Sequence, residues 1–260
     1  MISSPKAEGD LAQAPTVQVG VLSTAVKVLL LLAQSAVIFG GFLWLPPALG
    51  FRNPELTRIV VFHVPCSIVA TIASTVATWY AVVYLIRRRP SDDIKSRVAF
   101  ALGLLLWVLT TVTGAVFAKV EWGEYWNWDP KQSSILMLLM INVAYFALRT
   151  VIENPNRQAV ISAVYAIFAM ATVPMLTYYL PNSTDDTLHP KGVITTKEGL
   201  DPHYKIVLWS GVLCLTGVFV WALRIQVRFE ELALRLRERA STARAPKVII
   251  TDMGVDAGGQ

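Results

Sequence analysis

Residues 121–129 read EWGEYWNWD and lie between two long apolar segments of a 260-residue chain. This stretch holds three of the chain's eight tryptophans, one tyrosine and three carboxylates. Trp and Tyr collect at the level of lipid headgroups, so an interfacial aromatic belt is one interpretation. The density of aromatics favours instead a flat, rigid surface that binds a planar apolar ligand. A helical wheel predicts that one face carries four side chains at i, i+3, i+4 and i+7, namely Trp122, Tyr125, Trp126 and Asp129.

The end of this stretch also has a simpler explanation. Asp and Pro are favoured at the N-cap and at the first position of a helix, so Asp129 and Pro130 predict that a helix begins here. On the wheel, Trp128 points away from the shared face. We therefore expect this segment both to start a helix and to present aromatic surface.

The chain contains only three histidines. His63 lies in RIVVFHVPCS, inside an apolar segment, where ionisable residues are rare and usually functional. His189, in DDTLHPKG, and His203, in LDPHYK, both lie in or beside the last hydrophilic loop. Any single histidine of this kind is more often a polar bystander, so their joint placement has to carry the argument.

The composition places these residues in a membrane protein. The chain is 54% hydrophobic and 16% charged, whereas soluble domains carry about 25% charged residues. Six windows without charge reach or approach the length that crosses about 30 Å of hydrocarbon as a helix. The fourth window is short, and its helix would have to begin at Gln132 or Pro130. The sequence thus predicts an all-α membrane protein with six transmembrane helices, at about residues 28–45, 59–86, 98–118, 133–148, 159–180 and 206–223.

The positive charges predict the orientation and the limits of the membrane domain. With the N-terminus inside, 16 of the 23 Lys and Arg lie on the cytoplasmic side, as the positive-inside rule requires. Both termini are then cytoplasmic, and the aromatic segment and all three histidines face outside. We expect a disordered cytoplasmic tail over residues 1–26 and a six-helix domain over 27–224, whose aromatic segment spans 119–131. Residues 225–260 form a basic cytoplasmic tail that lies in part along anionic membrane lipids.

Several classes of function are disfavoured by what the sequence lacks. The two cysteines, Cys66 and Cys214, fall inside predicted spans, and without a C-x-x-C-H motif the chain carries no covalent c-type haem. There is no phosphate-binding loop, so we expect no nucleotide hydrolysis. The net charge of +5 is concentrated at the cytoplasmic rim and gives no case for binding nucleic acid.

Histidines and aromatics on the same side of the membrane favour a haem site. Two neutral imidazoles from opposite sides are the ligands of a six-coordinate haem iron, and aromatics pack on the porphyrin. Haem propionates need cations at the rim, and Arg58, Lys119 and Lys131 lie on that side. A quinone would use the aromatics and one histidine but gives no reason for a second. Zinc would require further Cys or carboxylate ligands close to the histidines.

These motifs resemble a known family. WGEYWNWD fits the W-G-x-x-W-x-W-D signature (the WWD signature) of the haem-handling proteins of cytochrome c maturation. The pattern R-x-x-x-x-H-V-P at residues 58–65 and T-L-H at residues 187–189 resemble the CcmC, or haem exporter protein C, family. The resemblance covers about residues 28–223.

The resemblance implies a function and a set of partners. Members of that family hold haem b, non-covalently and transiently, at the outer face of the bacterial inner membrane and present it to a periplasmic haem chaperone (CcmE). Their companions are a small single-span subunit (CcmD) and an ABC transporter (CcmA and CcmB) whose ATPase releases the loaded chaperone. A protein of this kind is an assembly factor more than a catalyst.

The resemblance also assigns roles to residues of this chain. The family's membrane histidine corresponds to His63, its loop histidine to His189, and its arginine before the first histidine to Arg58. These two histidines would be the axial ligands of the haem iron. The tryptophan signature, as a haem platform, corresponds to Trp122, Gly123, Trp126, Trp128 and Asp129.

The sequence departs from the family pattern in places. Tyr125 stands where some members have another tryptophan. Lys131 stands where some have arginine, which weakens bidentate pairing with a propionate. His203 matches no position of the family. The form W-x-W-D-P-K also resembles the larger haem lyase of the other maturation system (CcsA), but that branch has extra spans and histidines that this chain lacks.

Three other functions compete with a haem-binding assembly factor. A haem permease would move haem from the cytoplasm, yet no candidate residue lies at mid-membrane or on the inner side. A b-type electron carrier usually has four paired histidines within its spans, and only His63 qualifies. The third is a structural scaffold of a transporter, in which the tryptophans form only a belt.

The orientation can be tested by cysteine labelling in a Cys-free background. Cysteines placed at Asn127, Thr184 and Lys197 should react with an impermeant reagent added from outside, because their loops are on that side. Cysteines at Arg89 and Asn154 should not react. Outside labelling of position 89 would reverse the orientation and remove the site from the outer face.

Overall fold

The structure is a computed structural model that describes residues 24–189, 192 and 199–244. The described residues form helices and no strand, which confirms the predicted all-α fold. Among them, six helical segments are long and apolar enough to cross a membrane, which confirms the predicted number. The helices are α1 (Thr24–Phe39), α2 (Val60–Arg87), α3 (Pro90–Trp122), α4 (Pro130–Val151), α5 (Pro155–Pro174), α6 (Leu180–Asn182) and α7 (Pro202–Arg244).

Helix α4 begins where the sequence predicts. Pro130 is its first residue, and the Asp129 carboxylate accepts a hydrogen bond of 2.9 Å from the backbone N–H of Lys131. This is the N-cap geometry, in which an acidic side chain satisfies a backbone donor at the helix start. The prediction that Asp129 and Pro130 start this helix is confirmed.

Two spans end in π-helical turns at the predicted outer side. Residues Gly40–Trp44 extend α1, and Met175–Tyr179 connect α5 to the single turn α6, so that one span runs over Pro155–Asn182. Pro174 is the last residue of α5 and directly precedes the second π-helical turn. A π-helical turn changes the direction in which the following side chains point, and such turns are frequent at functional sites.

Helix α2 packs against α3 through small side chains. Ala70, Ala73 and Ala77 are fully buried on the α3-facing side of α2. Gly103 of α3 lies opposite, where a Cβ atom would be 3.4 Å from the Cβ atom of Ala73. Small residues allow membrane helices to approach closely, and van der Waals packing then holds them together.

Paired charges join the helices at the other end of the bundle. Arg149 of α4 donates hydrogen bonds of 2.9 and 2.8 Å to the two carboxylate oxygens of Asp93 in α3. Arg97 of α3 donates bonds of 3.1 and 2.8 Å to those of Glu230 in α7. Such bidentate pairs are geometrically specific, so they fix the register of α3 against α4 and α7.

The predicted boundaries of the membrane domain fall inside helices. Helix α1 begins at Thr24, within the predicted tail over residues 1–26, and the remainder of that tail lies outside the described residues. Helix α7 continues for 43 residues across the predicted boundary at residues 224 and 225. The basic segment after residue 224 is therefore continuous with the helix of the last span as far as Arg244, and residues 245–260 of the predicted tail lie outside the described residues.

Candidate functional site

The aromatic segment is a loop, and it begins where α3 ends. Gly123 adopts a φ of 91°, and its N–H bonds to the carbonyl of Lys119, which closes the last turn of α3. Glycine takes this left-handed conformation without steric cost, which makes it a common helix terminator. The helical face predicted to run from Trp122 to Asp129 is therefore wrong, because α3 ends at Trp122, the first member of that face.

Asp129 joins two segments that are far apart in sequence. Its carboxylate is completely buried and caps α4 through Oδ1. Oδ2 accepts hydrogen bonds from the Thr187 hydroxyl at 2.9 Å and from the Leu188 backbone N–H at 2.7 Å. Oδ1 also lies 2.7 Å from Nδ1 of His189. One carboxylate thus attaches the last outer loop to the start of α4.

These contacts fix the orientation of the His189 ring. Because a carboxylate only accepts hydrogen bonds, Nδ1 of His189 carries the proton and donates it to Asp129. Nε2 is then the ring nitrogen whose lone pair is available to a ligand. The Trp122 ring packs against the imidazole, with ring centroids 4.7 Å apart and planes at 68°. Trp122 therefore supports His189 from the side.

Electrostatics keep this pair in a defined protonation state. Burial lowers the pKa of His189 below its ordinary value; Asp129 opposes this effect, and Lys131 reinforces it. Burial raises the pKa of Asp129, but His189, the backbone N–H groups of Lys131 and Leu188 and the Thr187 hydroxyl together hold that pKa below its ordinary value. At neutral pH the pair is therefore an ionised carboxylate and a neutral imidazole.

His63 is held by the facing helix. Its Nδ1 lies 3.1 Å from the Thr113 hydroxyl oxygen of α3. That hydroxyl donates its own proton to the carbonyl of Leu109 at 2.6 Å, so towards His63 the oxygen acts as an acceptor. His63 consequently carries its proton on Nδ1, and Nε2 is again the available nitrogen. A Cβ atom at Gly114 would lie 2.8 Å from Cε1 of His63, so the absence of a side chain there makes room for the ring.

Both imidazoles line one cavity of about 510 Å³. This volume falls within the range of small-molecule sites, which is roughly 300–1,000 Å³. Trp126 and Lys131 also line the cavity. Its apolar wall comes from the loop before α2, from α2, α3 and α4 and from the π-helical turn, and includes Phe51, Val60, Val64, Ile68, Ala115, Phe117, Ile135 and Leu176. Two imidazoles that each keep one unprotonated ring nitrogen therefore line the same largely apolar space.

The remaining candidates from the sequence lie away from this cavity. Trp128 is 72% exposed, with a φ of 56°, and Tyr125 is 58% exposed beneath the Lys119 ammonium group. Lys119 donates to the Gly123 carbonyl at 2.7 Å. Arg58 bonds to the Phe42 carbonyl and pairs with Glu55, so both contacts are to the outer ends of α1 and α2. Of the three predicted cations, only Lys131 lines the cavity.

Sequence reasoning missed Glu121, which secures the first outer loop. The carboxylate of Glu121 is buried and accepts hydrogen bonds from the Thr57 hydroxyl at 2.7 Å and from the Arg52 backbone N–H at 2.9 Å. This attachment holds Phe51 edge-on to Phe117, with ring centroids 6.4 Å apart. The one available signal was a carboxylate that directly precedes the tryptophan motif. Its partners, 64 and 69 residues away, could not be found from local patterns.

His203 lies elsewhere. Its Nδ1 is 2.7 Å from the Asp201 carboxylate, and its ring packs edge-on against Trp44, with centroids 4.8 Å apart. Its side chain is about half exposed. Neither contact involves the cavity, so His203 belongs to a local cluster at the start of α7.

The fold and the site together define a multi-pass helical membrane protein with a cavity at one end of its bundle, flanked by two histidines from different segments. Comparison with known proteins identifies the group. The sequence model of the family described as Heme exporter protein C matches residues 10–244, and the chain belongs to that family.

Individual relatives agree with this assignment. Heme exporter protein C of Rhodobacter capsulatus is 27% identical over 201 residues, which cover 76% of this chain and 81% of the relative. The protein of the same name from Paracoccus denitrificans is 25% identical, with 73% and 80% covered. Cytochrome c biogenesis protein CcsA of Oenothera argillicola is 34% identical over 101 residues, but these cover only 39% of this chain and 30% of the relative.

The role of Asp129 as a link between segments can be tested with Asp129→Asn. Asparagine caps a helix about as well as aspartate, but its amide nitrogen cannot accept the hydrogen bonds of Thr187 and Leu188. Losing a bond to a charged group costs about 1.5–3 kcal/mol, so we expect the backbone around Leu188 to exchange hydrogen about tenfold faster or more. Exchange in the first turns of α4 should stay close to wild type, as measured by mass spectrometry in nanodiscs.

Asp186→Asn is the matched control for this measurement. It removes the same charge from an exposed position in the same loop and should leave exchange near Leu188 unchanged. If hydrogen exchange near Leu188 were the same in Asp129→Asn as in wild type, Asp129 would act only as a helix cap.

Proposed function

We propose that this chain is a haem-handling assembly factor of cytochrome c maturation in the bacterial inner membrane. It holds haem b, non-covalently and transiently, at the outer face between His63 and His189 and delivers it to a periplasmic haem chaperone of the CcmE type. The observation that carries the proposal is that two imidazoles, each with Nδ1 engaged in a hydrogen bond, line the same apolar cavity. Family membership supports the same conclusion.

The site residues fit the chemistry of haem. Haem iron accepts two neutral imidazole nitrogens as axial ligands. The partner on Nδ1 fixes which nitrogen faces the ligand and, where it is a carboxylate, raises the basicity of the ring. Among the described residues, no group of three or more His, Cys, Asp or Glu comes together as a site for a bare metal ion. Two histidines without further protein ligands suit a metal ion whose other ligands are supplied by a macrocycle, as in haem.

The cavity also fits the two-sided character of haem. Lys131 is the cation in the cavity, and it follows directly on the loop that carries the tryptophans. We assign it to a propionate. Trp126 lies in the wall and offers a flat surface to the porphyrin, while Trp122 acts through His189.

The two ligands differ in how firmly they are held, and this suits delivery. His63 lies on α2 and is packed against α3, so displacing it requires two helices to move. His189 lies in a loop attached to the bundle through Asp129. An incoming chaperone need only break that attachment to withdraw one ligand. Trp128 and Tyr125 are exposed in the loop that ends at Asp129 and form a contact surface for the chaperone. An ABC transporter (CcmA and CcmB type) and a single-span subunit (CcmD type) complete the assembly.

The ligand pair is tested by visible spectroscopy of purified protein reconstituted with haem. Wild type should show a low-spin, six-coordinate spectrum. His63→Ala and His189→Ala should each lose that state, and added imidazole should partly restore it, because the substitution leaves space for a free ligand. His203→Ala, which is remote from the cavity, should match wild type. A low-spin spectrum in either of the first two variants without imidazole would remove that histidine from the site.

The positioning of His63 can be tested without changing any ligand. Gly114→Ala places a Cβ atom 2.8 Å from Cε1 of His63, so the ring must shift. We expect haem affinity to fall about tenfold, which corresponds to 1.4 kcal/mol, with a larger high-spin fraction and an unfolding temperature close to wild type.

Gly103→Ala on the same helix is the control for this change. Its Cβ atom would meet Ala73 at an ordinary contact distance of 3.4 Å, so haem affinity should be retained. Equal haem affinity in the two variants would show that His63 does not depend on the space at Gly114.

A further inference from the structure

The cavity wall includes two aromatic side chains that are largely exposed. Trp209 of α7 and Tyr178 of the π-helical turn both line the cavity, yet they are 50% and 73% exposed. Both residues lie within segments that are apolar and long enough to cross the membrane. A cavity-lining side chain that keeps half or more of its surface exposed is not covered by neighbouring helices, so the cavity is open beside these two residues.

This side of the cavity lies at the depth of His63. At 1.5 Å per residue, Trp209 is about 10 Å along α7 from Pro202, and His63 is about as far along its own span from Leu56. Tyr178 is about 6 Å from the end of its span at Asn182. The side opening and His63 thus occupy the same half of the bilayer.

The four threonines that line the cavity have no hydroxyl proton left to donate to a ligand. The hydroxyls of Thr71, Thr110, Thr111 and Thr177 each donate to a carbonyl of the preceding turn of their own helix, at 2.7–3.1 Å. Lys131, by contrast, stands in the first turn of α4 at the outer end. A ligand is therefore received with its apolar edge inward and its charged edge towards the headgroups.

We propose that the cavity is loaded sideways from the outer leaflet, through the opening between Tyr178 and Trp209. The ligand class is a flat amphiphilic tetrapyrrole dissolved in the leaflet, with its carboxylates at headgroup level. This inference rests on the proposed function and adds the route by which the ligand enters the cavity. Lateral transfer keeps the carboxylates in the headgroup layer throughout, and so avoids carrying charge into hydrocarbon. Tyr178 lies in the π-helical turn after Pro174 and is largely exposed.

The route is tested by narrowing the opening. Ile68 of α2 lines the same cavity and is only partly buried. Wild type, Ile68→Trp and Leu105→Trp are reconstituted in phosphatidylcholine vesicles and mixed with donor vesicles that contain haem. Loading is followed by the Soret shift in stopped flow, and release by transfer to apomyoglobin. Leu105 is 55% exposed on the lipid side of α3 and does not line the cavity, so its variant controls for an added tryptophan.

An obstructed route changes rates more than equilibrium, because entry and exit pass through the same opening. We expect Ile68→Trp to slow loading and release by a similar factor of about ten, while Leu105→Trp loads like wild type. Unchanged rates in Ile68→Trp would overturn the inference. An unchanged loading rate with faster release would also overturn it, because that result indicates a damaged site and not an obstructed route.

A water-soluble porphyrin distinguishes entry from the lipid leaflet from entry through the aqueous mouth of the cavity. Iron tetra(4-sulfonatophenyl)porphyrin is excluded from hydrocarbon by its four sulfonates. We expect it to load far more slowly than haem in wild type; equal loading would assign entry to the aqueous mouth and overturn the inference. If wild type gives no low-spin spectrum with haem even at equilibrium, the proposed function itself fails, and that result is distinct from any change in rate.

Discussion

The candidate site depends on one buried carboxylate. Asp129 receives hydrogen bonds from the α4 backbone and from three groups located 58–60 residues further along the chain. A buried carboxylate is stable only if hydrogen bonds or charges compensate for its lost hydration. The start of α4 and the loop that carries His189 must therefore remain together. The same contacts select the tautomer of His189, so the constraint that stabilises the fold also leaves Nε2 of this candidate ligand unprotonated.

His63 is prepared by different means for the same chemical result. A hydroxyl in a transmembrane helix satisfies itself by donating to its own backbone, and Thr113 does so. Towards His63 the Thr113 oxygen can then only accept a hydrogen bond, so the imidazole proton lies on Nδ1. Hydrocarbon provides no water as another acceptor for the hydroxyl proton of Thr113, so that proton goes to the helix backbone. The membrane environment therefore indirectly leaves Nε2 of His63 unprotonated. The two imidazoles reach equivalent tautomers, His189 through an ionised carboxylate at the start of α4 and His63 through a neutral hydroxyl within α3.

Local patterns predicted the parts of this architecture that are local. The six spans and the start of α4 follow from hydropathy and from an Asp-Pro pair, and the structure confirms both. The helical face through the tryptophan motif was wrong because a periodic pattern was extended past Gly123, whose left-handed conformation ends α3. The support of His63 by Thr113 and Gly114 was not predicted. Those contacts join positions about 50 residues apart, and neither residue type is unusual in a transmembrane helix.

The cavity combines two boundaries that are usually separate in a membrane protein. Its outer end is polar and held by hydrogen bonds to the outer loops, whereas Tyr178 and Trp209, which line its side, are half or more exposed within membrane-spanning segments. An amphiphilic ligand has the same division, with a charged edge and an apolar body. A site open only to water would have to desolvate the body, and one open only to lipid would have to bury the carboxylates. Because both boundaries meet in one cavity, a ligand can arrive through lipid and leave towards water while its charged edge stays at the same depth.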